Sequence, residues 1–430
     1  MGVGLAALNK LASAGLIDRL NLRRPAERTV YQASRTGFRA AGAANRTFAS
    51  ARKLRQPQRP AASAERGLFD LTPTDEQQLI VEATAEFAAK LLRPAAADAD
   101  QDCAAPEAIL ERAVAELGMN QLTVPEPLGG IGGERSVTTG VLVDEALAHG
   151  DMGLAVACLA PAAVSTALTL WGNAEQQASY LPALVGEHCP AAALTVLEPR
   201  VLFDPFALRT TARRSAGGFV LDGMKSLVPR ADRAELFLVA ASLDGEPALF
   251  VVESGTAGIT IESEPAMGLR AASMGRLVLD GVKVPAGALL TGGPDAYADC
   301  IRLGRLGWAA LALGTGRAVL DYVIGYVNER HAFGEPISHR QAVAFMVADI
   351  GIELEGARLV TLRAASRAEQ GRPYARETAL ARRLTSEYGM QIGSNGVQLL
   401  GGHGYVKEHP VERWYRDLRA VAVMEGVVLV

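Results

Sequence analysis

The chain reads as mostly α with a small β domain: an N-terminal helical domain, a central antiparallel β-barrel or sandwich, and a C-terminal four-helix bundle. Three observations predict this order. Between residues 71 and 171 apolar side chains recur every three to four positions, the period of a helix with one buried face. From about Ala191 the pattern changes to short β-type runs divided by Gly, Pro and Asp. Beyond Gly293 long helical periods return. With 430 residues, 49% of them hydrophobic, the chain can bury more than one core.

Taken in order, residues 1–66 form a basic extension ending in a linker. They carry 13 Lys/Arg against 3 Asp/Glu, net +10, whereas the remainder is net −14. Two amphipathic pieces, 3–22 and 29–54, precede the Pro-punctuated linker 56–60. A basic amphipathic helix reads as a peripheral membrane contact or a partner-docking element. A segment packed on its own protein and an Arg-rich targeting peptide are the other readings. The helical domain, 67–190, starts with Thr72 as N-cap, Pro73 at the first helical position, and Asp75 and Glu76 at the positive end of the dipole. Ile80, Ala83, Phe87 and Leu91 mark its buried face, and Pro94 its expected end. Helices follow over 109–117, stopped by Gly118, over 137–150, and over 152–171, nearly apolar throughout and therefore central to the core.

The β domain, 191–293, has strand-type runs at 208–212, 218–222, 236–240, 249–252, 259–261 and 276–284. The bundle, 294–430, has helices over 295–330, 339–368 and 376–400 and a shorter fourth. Gly307, Ala309, Ala310, Ala312, Gly314 and Gly316 make the first of these able to approach a neighbour closely.

Composition also excludes. Arg residues in the extension alternate with Ala and Gly without an aromatic stacking platform, and the body is acidic, so nucleic acid is not a partner. Cys103, Cys158, Cys189 and Cys300 have no metal-ligand or C-x-x-C spacing; they read as reduced cytoplasmic thiols, with no metal site. No uninterrupted run of 18 apolar residues occurs. Met1-Gly2 fails as a myristoylation signal because Ala6 stands where Ser or Thr is required.

The chemistry-bearing stretches lie late in the chain. They are Arg330-His-Ala-Phe333-Gly followed by Gln341, then Gln398-x-x-Gly401-Gly402-x-Gly404-Tyr405, then Pro410-Val-Glu-Arg413 and Arg416-Asp417, then Glu425-Gly426. A Gly-rich turn lets backbone approach a phosphate closely. Glu425 is flanked by Val421, Ala422, Val423, Met424, Val427 and Val428, an apolar setting that suits a carboxylate acting as a base. These motifs, in this order and separation, with Val124-Pro-Glu-Pro-Leu-Gly-Gly130 in support, resemble those of the acyl-CoA dehydrogenase family over residues 67–430.

The resemblance implies FAD between the β domain and the bundle, an acyl-CoA substrate, α,β-dehydrogenation of its thioester, and electron-transfer flavoprotein as acceptor. It implies that Glu425 removes the α proton while hydride passes to FAD. Arg330 would neutralise the pyrophosphate, Phe333 and Gln341 would hold the adenosine part, and Gln398, Gly401 and Gly402 would line the dinucleotide. Arg305 and Gly426 would lie against substrate. Gly304 stands where some members place their base, which leaves Glu425 alone in that role.

Departures from the family pattern cluster in the β domain. Leu197-Glu-Pro-Arg-Val-Leu-Phe-Asp204 replaces a stretch that normally gives hydroxyl and glycine groups to flavin, so Leu197 and Phe203 offer no hydrogen bond there. Lys225-Ser-Leu-Val-Pro-Arg230 brings Leu227 and Pro229 in place of an aromatic and a hydroxyl residue, and Val427 replaces a threonine. The altered groups are those the resemblance assigns to a subunit's own FAD; the retained ones reach a neighbour's. The expectation is a homo- or hetero-oligomer, dimer or tetramer, with a flavin-poor partner subunit lending half of the FAD pocket as the alternative role. Chain length of the acyl group is not readable from spacing. For the extension, the expected outcome of removing residues 1–66 is a shift of the protein from the membrane to the soluble fraction on sedimentation; an unchanged distribution refutes membrane contact.

Overall fold

A computed structural model describes residues 71–430 apart from 132–134 and 187. The basic extension and linker of 1–66 lie outside the described residues.

Helix α1 (Asp75–Phe87) is capped by Thr74, whose side chain accepts from the Gln77 N–H while the Gln77 side chain returns to the Thr74 N–H. The cap is thus two residues later than Thr72. Pro94 does not end the helix either. A π-helical turn at Ala88–Leu92 widens the coil and runs directly into α2 (Arg93–Asp102), so that Pro94, whose ring would clash with the preceding turn of a regular helix, is accommodated. The chain continues through α3 (Glu107–Arg112), α4 (Val137–Gly150), α5 (Met152–Trp171) and α6 (Ala174–Leu184). By length and hydropathy α5 qualifies as a membrane-crossing helix, despite the small polar residues that interrupt its apolar run. It is instead the centre of the helical core, with 78% of that window buried.

The sheet begins earlier than its β-type runs indicate, at β1 (Ala192–Thr195), whose small residues carry little strand signal. The strands β2 (Thr211–Ser215), β3 (Gly218–Pro229), β4 (Leu236–Leu243), β5 (Glu246–Glu253), β6 (Ile259–Ser263) and β7 (Met274–Pro285) complete it. The order is β1-β4-β2-β3-β7-β6, with β5 on the other edge of β4. Most pairings are antiparallel, but β4 pairs in parallel with both β1 and β2. Phe219, Phe237, Phe250, Leu221, Leu277 and Val282 fill the sheet's own core.

Helix α7 (Gly293–Glu329) then runs the length of the bundle, followed by a tight hairpin of β8 (His331–Ala332) and β9 (Glu335–Pro336), α8 (Gln341–Glu369), α9 (Ala375–Leu400) and α10 (Val411–Leu418). Helix α4 packs along α7 as closely as any helix of the bundle. A Cβ on Gly314 would stand 2.0 Å from the Glu145 carbonyl oxygen, so glycine there sets the helix separation. Three charged ties of α10 fasten the layers: Arg416 grips Asp100 of α2 through two bonds of 2.8 and 2.9 Å, Arg413 meets Asp151 at 3.0 Å, and Asp417 accepts the Leu269 N–H at 2.7 Å.

Because Glu145 O is backbone and cannot step aside, Gly314→Ala is expected to lower unfolding free energy by about 2–3 kcal/mol, the upper range for overpacking. Urea unfolding monitored by circular dichroism measures it, and Gly325→Ala, on the same helix with open space around it, is the control with no comparable loss.

Candidate functional site

Glu425 sits just past α10, on a tail that runs between the sheet and α7. Its neighbour Gly426 forms an isolated antiparallel bridge with Thr195 of β1, the Val427 N–H donates to the Leu194 carbonyl at 3.2 Å, and the Trp308 indole N–H donates to the Gly426 carbonyl at 2.9 Å. These bonds fix the backbone on either side of the carboxylate. Gly426 and Val427 both have φ of 72°; for valine, β-branched, that is a strained conformation. A Cβ on Gly426 would lie 2.6 Å from the Val196 Cγ2, so glycine is demanded here by the packing of the tail on β1.

The apolar setting expected around Glu425 is corrected by the structure. Glu425 is 7% exposed, but two guanidiniums reach it from helices distant in sequence. Arg305 of α7 donates its Nε to Oε1 at 3.0 Å and its Nη2 to Oε1 at 2.7 Å, with Nε also 3.1 Å from Oε2. Arg382 of α9 approaches Oε1 to 3.8 Å and donates Nη2 to the Met424 carbonyl at 2.6 Å. Burial lowers the Arg382 pKa to about 10, Arg305 adds to the lowering, and Glu425 opposes it. Sequence flanks could not reveal either contact, because a helix's inward positions are set by packing. Arg382 was missed altogether; its only signal is an arginine falling on the buried side of α9.

The remaining predicted residues gather elsewhere, at one end of the bundle. Arg330 caps α7, Phe333 tips the β8–β9 hairpin, Gln341 opens α8, and Gln398 and Gly401 end α9. The Tyr326 hydroxyl, one turn before Arg330, bonds the His403 Nδ1 at 2.9 Å, which draws the Gly401–Tyr405 turn against the end of α7. All six predicted dinucleotide residues are exposed, Phe333 to 94%, with Arg340 stacked at 5.6 Å on its ring. Gly401 has φ of 57°, and a Cβ on it or on Gly402 would meet nothing within 4 Å. This end therefore offers an open glycine turn, an exposed aromatic ring with Arg340 against it, and an exposed cation, groups that suit a phosphate and a planar base.

The β-domain face is different. Leu197 is buried without a hydroxyl, Pro229 has no N–H, and the Leu227 N–H and Ser226 hydroxyl both donate to Glu264, at 2.8 and 2.9 Å. Glu264 is in turn held by Arg276 at 2.7 Å. Beneath this face Lys225, fully buried, donates to Glu198 at 3.2 Å and to the Val196 carbonyl at 3.1 Å. Burial pushes Lys225 down to about 8 against the pull of Glu198. For Glu198, burial raises the pKa, but Lys225 and the N–H groups of Thr210 and Arg209 outweigh it and lower the pKa overall. The donors available to a flavin edge in this stretch are thus already engaged within the chain.

Profiles of the acyl-CoA dehydrogenase N-terminal, middle and C-terminal domains match residues 74–188, 191–282 and 292–428. The short/branched chain specific acyl-CoA dehydrogenase of Rattus norvegicus mitochondria is 34% identical over 365 residues, covering 83% of each chain. A probable acyl-CoA dehydrogenase of Bacillus subtilis is 33% identical over 370 residues, covering 83% of this chain and 96% of its own. Among solved structures, butyryl-CoA dehydrogenase from Megasphaera elsdenii superimposes with a TM-score of 0.76 at 29% identity, over 83% of this chain and 96% of that one.

Glu198→Ala leaves the Lys225 ammonium buried with one carbonyl for company. Removing one partner of a buried pair costs about 3–5 kcal/mol, and chemical denaturation of the variant is expected to register a loss in that range.

Proposed function

Since the chain belongs to the acyl-CoA dehydrogenase family, whose cofactor is FAD, we propose that it dehydrogenates an acyl-CoA thioester at the α,β position with Glu425 as the α-proton base. FAD, when bound, supplies the acceptor for the β hydride. The observation that carries the proposal is the placement of Glu425: buried, fixed in backbone on both sides, and the one carboxylate of its tail.

The chain's own residues then divide the work. An α proton is weakly acidic, so its removal needs a desolvated carboxylate at fixed distance. The Arg305 fork holds the Glu425 carboxylate in one orientation through both of its oxygens. Arg382, tied to the Met424 carbonyl, stays behind the carboxylate and limits its travel. Trp308 and the β1 bridge exclude water from the tail side. Arg330 would balance the pyrophosphate, Phe333 and Gln341 would hold the adenosine, and Gln398, Gly401 and Gly402 would line the dinucleotide. Their outward position fits a cofactor that lies across a subunit boundary, and hence an oligomer. Electron-transfer flavoprotein is the proposed electron acceptor.

A second reading is supported by the engaged donors of the β-domain face: a flavin-poor subunit of a heteromer that lends its bundle end to a partner's FAD. Absorbance at the flavin band relative to protein separates the two, since the first reading expects one flavin per chain and the second a small fraction. For the base, Glu425→Gln is expected to lower turnover by at least about a thousandfold. Anaerobic bleaching of flavin by acyl-CoA that proceeds at the wild-type rate in Glu425→Gln removes Glu425 from the role.

A further inference from the structure

Helix α7 presents two tyrosines one turn apart, Tyr322 and Tyr326, to the segment that follows α9. The Tyr322 hydroxyl lies 2.6 Å from the His409 Nδ1, and the Tyr326 hydroxyl 2.9 Å from the His403 Nδ1. Four residues of helix rise about 6 Å. The two imidazoles accordingly stack, with 5.4 Å between centroids and 21° between their planes. Trp414 packs edge-on against Tyr322 at 5.7 Å, so the pair stands on a firm base. Among the described residues the Tyr322 hydroxyl has no other acceptor, and the one alternative for Tyr326 is the Leu400 carbonyl at 3.5 Å. Each hydroxyl is therefore assigned as donating to its Nδ1, which leaves the ring proton on Nε2.

Nδ1 and Nε2 lie across the ring from one another, so rings whose Nδ1 atoms face α7 turn both Nε2 atoms away from it. Neither Nε2 has a hydrogen-bond or ion-pair partner among the described residues. His403 is exposed and belongs to the open Gly401–Tyr405 turn. Arg330, one turn beyond Tyr326, is exposed as well, and its guanidinium is unpaired among the described residues. Lys407, the cation of the histidine segment, is drawn away to Asp100 at 3.9 Å. Two imidazole donors and an unpaired cation thus border an open glycine turn, an arrangement that calls for an anion with several oxygens. A metal ion fits less well, since at about 2.1 Å per bond it holds two nitrogens no more than about 4.2 Å apart. Nor does any group of three or more metal-ligating side chains stand together among the described residues. A phosphate bridges rings 5.4 Å apart with two of its oxygens, each about 2.8 Å from a nitrogen.

Resting on the reading that this end of the bundle holds an adenosine dinucleotide, we propose that His403 and His409 form a paired imidazole clamp for its diphosphate. The Nε2–H groups are the donors, and Tyr322 and Tyr326 orient them. Arg330 supplies charge and the imidazoles supply direction: a free guanidinium meets a phosphate from many angles, whereas rings braced at Nδ1 fix where its oxygens sit.

The test is calorimetric titration of ADP and of adenosine into the full chain freed of flavin, as wild type, His403→Asn and His403→Gln. The asparagine amide takes the place of Nδ1 and keeps a partner for Tyr326 but removes the outward donor; the glutamine amide reaches the place of Nε2 and keeps that donor. His403→Asn is expected to weaken ADP on the order of tenfold and to leave adenosine unchanged, and His403→Gln to recover most of the loss. An ADP-to-adenosine ratio in His403→Asn equal to the wild-type ratio overturns the proposal, as does a His403→Gln that loses as much as His403→Asn. If adenosine binds the wild type and ADP binds no tighter, only the clamp falls; if neither binds, the dinucleotide reading of this end falls with it. Should the His403 variants fail to fold, His409→Asn and His409→Gln carry the same expectations.

Discussion

One carboxylate held by two guanidiniums from separate helices is the constraint around which this molecule is arranged. Glu425 cannot be buried beside the sheet without compensation, and α7 and α9 must lie where Arg305 and Arg382 can supply it. The Gly426 bridge to β1 then ties that arrangement to the β domain. Displacing any of the three elements would strand a charge, so the position of the proposed base is specified by the same contacts that hold the domains together. The charged ties of α10 to Asp100 and Asp151 work alongside it and fasten the helical domain to the bundle.

Much of the architecture was legible because it depends on local periodicity. Helices α4 and α5 fall within the limits that their apolar spacing marks, and Gly118, with φ of 59°, ends its helix where a glycine stop is expected. The fold class and the family follow from motifs whose separation survives at about one-third identity. What misled was the handling of ends. Thr72-Pro73 has the form of a cap, but the reciprocal bonds of Thr74 and Gln77 win because they satisfy two N–H groups at once. Pro94 has the form of a stop, yet a π turn just before it removes the clash that would have made it one. The parallel pairing of β4 with β1 and β2 has no signature in the alternation of single strands.

The site was legible in its motifs and illegible in its electrostatics. Glu425 was found from its place beside Gly426, and its chain neighbours gave an apolar picture that Arg305 and Arg382 replace. Spacing within one helix can say which face an arginine occupies, but not which carboxylate another element brings to it. The same limit hid Glu264, which takes up the donors of Ser226 and Leu227.

Helix α7 also acts as a ruler. Arg305 and Arg330 stand on the same rod, separated by 25 residues, and at 1.5 Å per residue that is about 37 Å, more than the width of a small domain. A rigid rod of that length keeps the two stations at a constant interval, whatever the surrounding loops do. A change that shortened or kinked α7 would alter the interval between the carboxylate held at one station and the exposed cation at the other before it altered either station itself.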